Sequence, residues 1–238
     1  MNTGWVLLIG ALFFVWRWTR RGRITPTTRE LPPPVLRSDI RGEEGERRVH
    51  AELLDSLTWL CGENFYLHAG ALLLNHAPGT DYPTAEVDHL AITPFGIFLV
   101  ETKNWTGLIE PGPDSSTLVR TGSDGIREAR TSPSRQNRSK VAFLRSVLPA
   151  PWTIEGVGVF ASDNCVLSPA LPVSVMRRED LRQWLRAKQA LQAKRCSVPV
   201  DVANAWKAIQ SVADTDDAAL RKHRERLRVN PRNLPILP

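Results

Sequence analysis

The spacing of apolar and polar positions predicts helices and strands in alternation. Apolar residues recur at helical spacing on one face of residues 43–58, namely Val49, Leu53, Leu54 and Leu57. Residues 134–148 show a similar stripe and form a second predicted helix. The β-rich runs between and after these helices are residues 65–74, 86–93, 97–103 and 154–161. This order of one helix, three strands, a helix and a strand favours an α/β fold with a mixed sheet flanked by helices.

The remaining stretches have weaker patterns. Residues 110–133 are polar and rich in Gly, Ser and Pro, so they are predicted to be mostly loop, with one short strand at 117–120. A short strand at 173–176 and three helices, 179–191, 199–213 and 216–228, are predicted after them. We therefore expect residues 163–238 to be a helical C-terminal extension that ends in a basic tail.

Two strands, 86–93 and 97–103, are separated only by Pro94-Phe95-Gly96, which is typical of a hairpin. If Thr93 pairs with Gly96, Asp88 stands opposite Glu101 and Glu86 opposite Lys103; a bulge at Gly96 would shift this register by one. Facing carboxylates repel unless a cation lies between them, and Mg²⁺ is typically held by one or two carboxylates. The alternative is a solvated charged face, although these runs are rich in apolar residues.

The first part of the chain differs from the rest in composition. Residues 1–16 contain no charged side chain, and an arginine-rich stretch follows them. We interpret residues 1–19 as a single-pass membrane anchor with the N-terminus outside and the main domain in the cytoplasm, as in a bacterial-type inner or plasma membrane. A buried or interfacial helix is the alternative. Residues 20–40 are predicted to be a Pro- and Arg-rich linker before the folded domain.

The net charge of +6 resides at the ends of this 238-residue chain. Residues 1–39 carry +4 and residues 221–238 carry +5, so the middle of the chain carries −3. The overall basicity therefore says little about a central active site. Three widely spaced cysteines with no CxxC pair argue against a disulfide framework or a zinc site.

Residues 41–162 resemble the nuclease-related domain, NERD, of the PD-(D/E)xK phosphodiesterase superfamily. The resemblance rests on four segments in this order: GEEGE at 42–46, EVDHL at 86–90, GIFLVETKNWTG at 96–107 and PSRQN at 133–137. The family often has Asn where this chain has Ser132. The resemblance implies a PD-(D/E)xK nuclease-like sheet with an α-β-β-β-α-β core.

The resemblance also implies roles for individual residues. Asp88 and Glu101 would bind Mg²⁺ or Mn²⁺, and Lys103 would assist the attacking water. Glu46 on the first helix would be an additional acid that helps to bind the metal or orient a ligand; by the residues alone it is an acid favoured at a helix start. Gln136 would reach the site from the second helix.

These roles imply a metal-dependent nuclease that acts on DNA or RNA. The alternative is a non-catalytic nucleic-acid-binding or scaffolding module at the membrane that keeps the nuclease fold. Residues 110–145 carry net +3, and Arg135, Arg138 and Lys140 are the candidate contacts with a nucleic-acid backbone. A solvated helix face is an equally good explanation of these charges.

Overall fold

The computed structural model describes residues 37–195 and 197–228, with side chains from residue 41. The helices are α1 Arg37–Cys61, α2 Pro133–Val147, α3 Leu181–Arg195, α4 Val202–Gln210 and α5 Asp217–Arg228, with a 3₁₀ turn at Arg178–Asp180. The strands are β1 Tyr66–Leu67, β2 Leu72–Leu74, β3 Ala85–Val87, β4 His89–Thr93, β5 Gly96–Lys103, β6 Gly107–Pro111, β7 Thr117–Thr121, β8 Arg127–Thr131, β9 Ile154–Phe160, β10 Cys165–Leu167, β11 Val175–Arg177 and β12 Ala213–Asp214.

A five-stranded mixed sheet forms the centre of the fold, with the strand order β1-β4-β5-β9-β11. Strands β4 and β5 are the predicted antiparallel hairpin, and Thr93 pairs with Gly96 as expected. Strands β5, β9 and β11 run parallel to one another. The predicted mixed sheet is therefore confirmed, and its hairpin has the register without a bulge.

Helices cover both faces of this sheet. Phe98 and Val100 belong to the apolar cluster that α1 and α3 complete, while Ile97 and Leu99 belong to the cluster that α2 and α4 complete. Successive side chains of a strand point to opposite faces. The Glu101 side chain therefore points to the same face as Leu99, the face covered by α2, at a position where polar side chains replace the apolar core.

Two smaller sheets lie beside the central one. Strand β10 and the antiparallel strands β6, β7 and β8 form a four-stranded sheet, so the prediction of mostly loop for residues 110–133 is wrong. Most residues of β8 are exposed on both faces, and for this reason they lack the alternation that marks a half-buried strand. The third sheet has the order β12-β2-β3.

Two predicted strands are each divided between different sheets. Residues 65–74 contain β1 and β2, and residues 86–93 contain β3 and β4, with a bend at Asp88. Strand β3 leaves the hairpin and pairs with β2, so Glu86 faces Leu73 and the predicted pairing of Glu86 with Lys103 is wrong. After residue 162, β11 corresponds to the short strand predicted at 173–176, whereas β10 and β12 make the region less helical than expected.

Helix α2 is held close to the sheet by two local features. The Ser132 side chain caps its first turn by accepting a hydrogen bond from the Ser134 N–H, 3.2 Å away. One turn later the Asn137 side-chain amide donates to Leu99 O and Val157 O, both at 3.1 Å. Gly156 makes this approach possible, since a Cβ there would lie 2.6 Å from the Asn137 Cβ. These contacts determine where the polar side chains of α2 lie.

The membrane-anchor and linker predictions concern residues 1–40. Residues 1–36 lie outside the described part of the chain, and residues 37–40 are described only as the first backbone turn of α1. Across residues 37–195 and 197–228, no helix combines the length and the apolar composition that crossing a membrane requires.

Candidate functional site

Two carboxylates meet where the hairpin ladder ends. The last pair of the ladder is His89 with Val100, and Asp88 and Glu101 come directly after it. Beyond this pair, the Asp88 side chain connects the two segments, because its Oδ2 accepts a hydrogen bond from the Thr102 N–H at 2.7 Å. The bend between β3 and β4 therefore keeps Asp88 beside the strand that carries Glu101.

Glu101 is buried, with 6% of its surface exposed, and two lysines neutralise its carboxylate. Lys103 Nζ lies 2.7 Å from Glu101 Oε1, and Lys140 Nζ lies 2.9 Å from Glu101 Oε2. Lys140 is itself only 3% exposed and donates a second hydrogen bond, of 2.9 Å, to the backbone carbonyl of Glu86. Each oxygen of Glu101 thus has its own cationic donor.

The surroundings change the pKa values of the two carboxyl groups in opposite directions. Burial, reinforced by the charge of Glu101, raises the pKa of Asp88 to about 8, against the smaller opposing effects of Lys140, the Thr102 N–H and Lys103. Burial also acts to raise the pKa of Glu101, but the charges and hydrogen bonds of Lys140 and Lys103 together lower it. Of the two carboxyl groups, Asp88 is therefore the one whose negative charge the surrounding cations and hydrogen bonds stabilise too weakly to offset its burial.

Lys140 belongs to this site rather than to the surface. The interpretation of Lys140 as a contact for a nucleic-acid backbone assumed an exposed side chain, and the structure corrects this placement. The sequence did contain a signal, because Asn137, Lys140 and Leu144 are spaced as one helix face and all three are buried. A lysine on a buried helix face needs an acidic partner, but the spacing of residues along the helix does not identify that partner.

The other predicted residues of α2 are exposed. Gln136 precedes Lys140 by one helical turn, so the two residues lie on the same side of α2. Its role as a residue that reaches the site stays a prediction. Arg135 and Arg138 form no ion pair within the described residues, so they stay candidates for contact with a nucleic-acid backbone.

The basic residues of the four-stranded sheet are mostly paired. Arg120 and Arg130 both bind Glu128, at 2.9 and 2.6 Å, and Arg127 lies 3.4 Å from Glu110. These pairs neutralise much of the positive charge that the sequence places between residues 110 and 131. Residues 110–131 hold three basic and four acidic side chains, so the net +3 of residues 110–145 comes from α2.

Glu46 lies on α1 within electrostatic range of the same site. Gly45, where a Cβ would stand 2.7 Å from the Asn104 Cβ, lets the helix approach the end of β5. Burial raises the pKa of Glu46, the positive charge of Arg224 opposes this, and Glu86 and Glu101 add to it. Its predicted part in metal or ligand binding stays a prediction.

The donor set suits a hard divalent cation only in part. Within the described residues, no three or more His, Cys, Asp and Glu side chains are grouped closely enough to hold a metal ion. Asp88 and Glu101 alone provide two carboxylates, which is the usual protein contribution to Mg²⁺, with water and substrate phosphate completing the shell. The uncompensated Asp88 is consistent with a cation, because a positive charge would favour its ionised form.

The histidine beside Asp88 has a structural environment. His89 points to the opposite face of the hairpin, and its Nε2 lies 3.1 Å from Thr102 Oγ1 in a buried position. Burial lowers the pKa of His89 to about 3, so the ring is neutral.

Comparison with known proteins identifies one family. The family model described as nuclease-related domain, NERD, matches residues 41–161. This range contains α1 from residue 41 onward, the hairpin, the strands β6 to β8, α2 and β9. It therefore includes all four residues Asp88, Glu101, Lys103 and Lys140. No curated protein and no solved structure matches the chain.

Proposed function

Because the chain belongs to the nuclease-related domain family, we propose that it is a metal-dependent nuclease that hydrolyses phosphodiester bonds of DNA or RNA. One observation carries this proposal. Asp88, at the bend before β4, accepts a hydrogen bond from the Thr102 N–H next to Glu101 on β5, and the Nζ of Lys103 lies 2.7 Å from Glu101. Two carboxylates and an ammonium in one place are suited to metal-assisted attack of water on a phosphodiester.

Asp88 and Glu101 would hold Mg²⁺ or Mn²⁺. Such an ion, when bound, polarises the phosphate and lowers the pKa of its water. Lys103 has three N–H donors and, among the residues that the structure describes, uses one on Glu101. The other two could hold the attacking water or stabilise negative charge on the phosphate. Lys140 keeps Glu101 ionised and fixes its orientation through Oε2. Thr102 N–H holds the Asp88 carboxylate toward Glu101.

A second candidate function is a nucleic-acid-binding or scaffolding module without catalysis. Both oxygens of Glu101 already accept hydrogen bonds from lysines, which leaves this carboxylate less available to a metal. A fold that binds a phosphate backbone through Lys103, Arg135 and Arg138 would need no metal. This candidate shares the site with the first and differs from it in predicting binding without cleavage.

Cleavage assays on the full chain separate the two functions. Labelled single-stranded DNA, duplex DNA and single-stranded RNA would be incubated with Mg²⁺, Mn²⁺ or EDTA. The variants are Glu101→Gln and Lys103→Met, and the matched controls are Glu155→Gln and Lys188→Met, which break a Glu–Lys pair outside the site. We expect metal-dependent cleavage that both site variants lose and both controls keep.

The other outcomes are equally informative. Cleavage that survives in Glu101→Gln and Lys103→Met would refute the assignment of these residues. Binding of a probe with no cleavage in either metal would refute the nuclease and support the binding module. Neither cleavage nor binding of any probe would refute both candidate functions.

We also propose that the chain is attached to a membrane through residues 1–19, with its main domain in the cytoplasm of a bacterial-type cell. The support is the uncharged stretch 1–16 and the arginines that follow it. In a cell fraction, the full chain is expected to stay in the membrane pellet after alkaline carbonate extraction, and a chain lacking residues 1–19 to be released. Release of the full chain would refute the anchor.

A further inference from the structure

The last helix of the described chain lies against the proposed active site, although it is outside the residues that match the family. Helix α5 is fixed to residues 84–86 by three side chains. His223 Nδ1 lies 2.8 Å from Thr84 Oγ1, and Arg226 donates to the same hydroxyl at 2.9 Å. Arg224, between them, binds the carboxylate of Glu86 with its Nε 3.0 and 3.2 Å from the two oxygens.

Glu86 connects this helix to the catalytic carboxylates. It precedes Asp88 by two residues, and its backbone carbonyl accepts the hydrogen bond of Lys140, which also binds Glu101. The charge of Arg224 reaches the site as well. The pKa of Arg224 is raised first by its hydrogen bond to Glu86, with smaller contributions from the charges of Glu46 and Asp88. Arg224 is thus close enough to the site for its charge to interact with Glu46 and Asp88.

Arg224 is partly exposed and retains N–H donors that Glu86 does not use. Its side chain is 43% exposed, and only Nε and one terminal nitrogen of the guanidinium bind Glu86. The other terminal nitrogen makes no hydrogen bond to any residue that the structure describes. A guanidinium has five N–H groups in a rigid fork that matches phosphate oxygens, and Glu86 holds this fork in one orientation.

A purely structural role for Arg224, in docking α5, explains this arrangement less well than a role in binding phosphate. Exposed ion pairs typically contribute little to stability, and α5 is already attached through the buried residues Leu220 and His223 and through Arg226. Docking the helix therefore does not require an arginine at position 224. A partly exposed cation that an acid fixes beside a phosphodiesterase site is suited to bind a substrate phosphate.

We propose that Arg224 binds a backbone phosphate of the nucleic-acid substrate next to the bond that is cleaved, so that α5 completes the substrate site from outside the family domain. This inference rests on the proposed function. It makes Arg224 a substrate-binding residue and Glu86 a positioning residue that holds it.

The test measures binding and cleavage by the full chain with Arg224→Ala, Arg224→Lys and the matched control Arg221→Ala. Arg221 is an exposed arginine one turn earlier on α5, and it forms no ion pair with the described residues. Anisotropy of fluorescein-labelled single-stranded DNA, duplex DNA and single-stranded RNA is recorded in EDTA over a series of salt concentrations. Steady-state cleavage of the probe that binds is then measured in Mg²⁺.

Loss of one phosphate contact should change the salt dependence of binding and the KM, whereas loss of a purely structural contact should not. We expect Arg224→Ala to reduce the slope of log K against log salt by about 0.7–0.9. It should also raise KM at least about tenfold, as for a lost charge-assisted hydrogen bond, with a smaller effect on kcat. Arg224→Lys keeps the charge and should restore the salt slope, and Arg221→Ala should behave as wild type.

The possible failures are distinguishable. If the wild-type chain binds and cleaves a probe but Arg224→Ala matches Arg221→Ala in salt slope and KM, the role of Arg224 is refuted and the nuclease stands. If the wild-type chain neither binds nor cleaves any probe, both proposals are refuted. Should Arg224→Ala not fold, Arg224→Gln replaces it, and equal salt slopes for Arg224→Gln and Arg224→Lys would refute the phosphate contact.

Discussion

Replacing Asp88 by Asn isolates the carboxyl group whose charge the fold compensates least. Burial and the neighbouring Glu101 raise the pKa of Asp88 to about 8 from its ordinary value of 3.8. An amide has nearly the same shape, its oxygen can still accept the Thr102 N–H, and it carries no charge at any pH. We expect the metal-free Asp88→Asn chain to be more stable than wild type at neutral pH.

The size of the effect follows from linkage. Because the pKa of Asp88 is higher in the folded chain than in the unfolded one, its contribution to stability is fully present below pH 3.8. That contribution is lost as the pH rises toward 8. The wild-type free energy of unfolding should therefore fall, relative to Asp88→Asn, by about 1.4 kcal/mol per pH unit between pH 5 and 7, and less steeply near pH 8. Other titrating groups cancel in this difference to the extent that the substitution leaves them unchanged.

Urea unfolding of both chains in EDTA, at intervals from pH 5 to pH 8.5, measures this difference. Saturating Mg²⁺ should stabilise the wild type more at high pH, where Asp88 is ionised, and should leave Asp88→Asn unaffected. A difference between the chains that does not vary with pH would refute the burial argument for Asp88. An equal Mg²⁺ effect on both chains would refute its proposed role as a metal ligand.

Three further substitutions test how α2 and the site are held together. Lys140→Met leaves Glu101 with one lysine and removes a donor from the Glu86 carbonyl, so it should lower the free energy of unfolding by about 3 kcal/mol. Gly156→Ala places a Cβ against Asn137 and should cost about 1–3 kcal/mol, since backbone must shift. Ser132→Ala removes the cap of α2 and should cost about 1 kcal/mol.

Each of these substitutions has a matched control, and urea unfolding at neutral pH measures all of them. Arg138→Ala on the exposed side of α2 and Ser139→Ala within the helix should change stability by no more than about 0.5 kcal/mol. Gly70→Ala should be equally mild, because an added Cβ there meets nothing within 4 Å. A cost for Lys140→Met no greater than that for Arg138→Ala would show that the buried ion pair does not form.

Local pattern was sufficient for the hairpin and for most of the helices. The register that pairs Thr93 with Gly96 follows from a short turn between two apolar runs, and both are properties of adjacent residues. The motifs that resemble the nuclease-related domain are also local, and the family match over residues 41–161 confirms them. In the four-stranded sheet only β7 was predicted, and β8 was missed because an exposed strand carries little hydrophobic alternation.

The sequence by itself determined the family, the mixed α/β sheet and the hairpin that carries Asp88 and Glu101. Only the tertiary structure decided which cations meet these acids. Lys140 binds Glu101 across 39 positions of the chain, and Arg224 binds Glu86 across 138. The spacing of apolar residues along a helix or strand indicates which of its faces is buried. The docking of one element on another, however, depends on packing between distant parts of the chain.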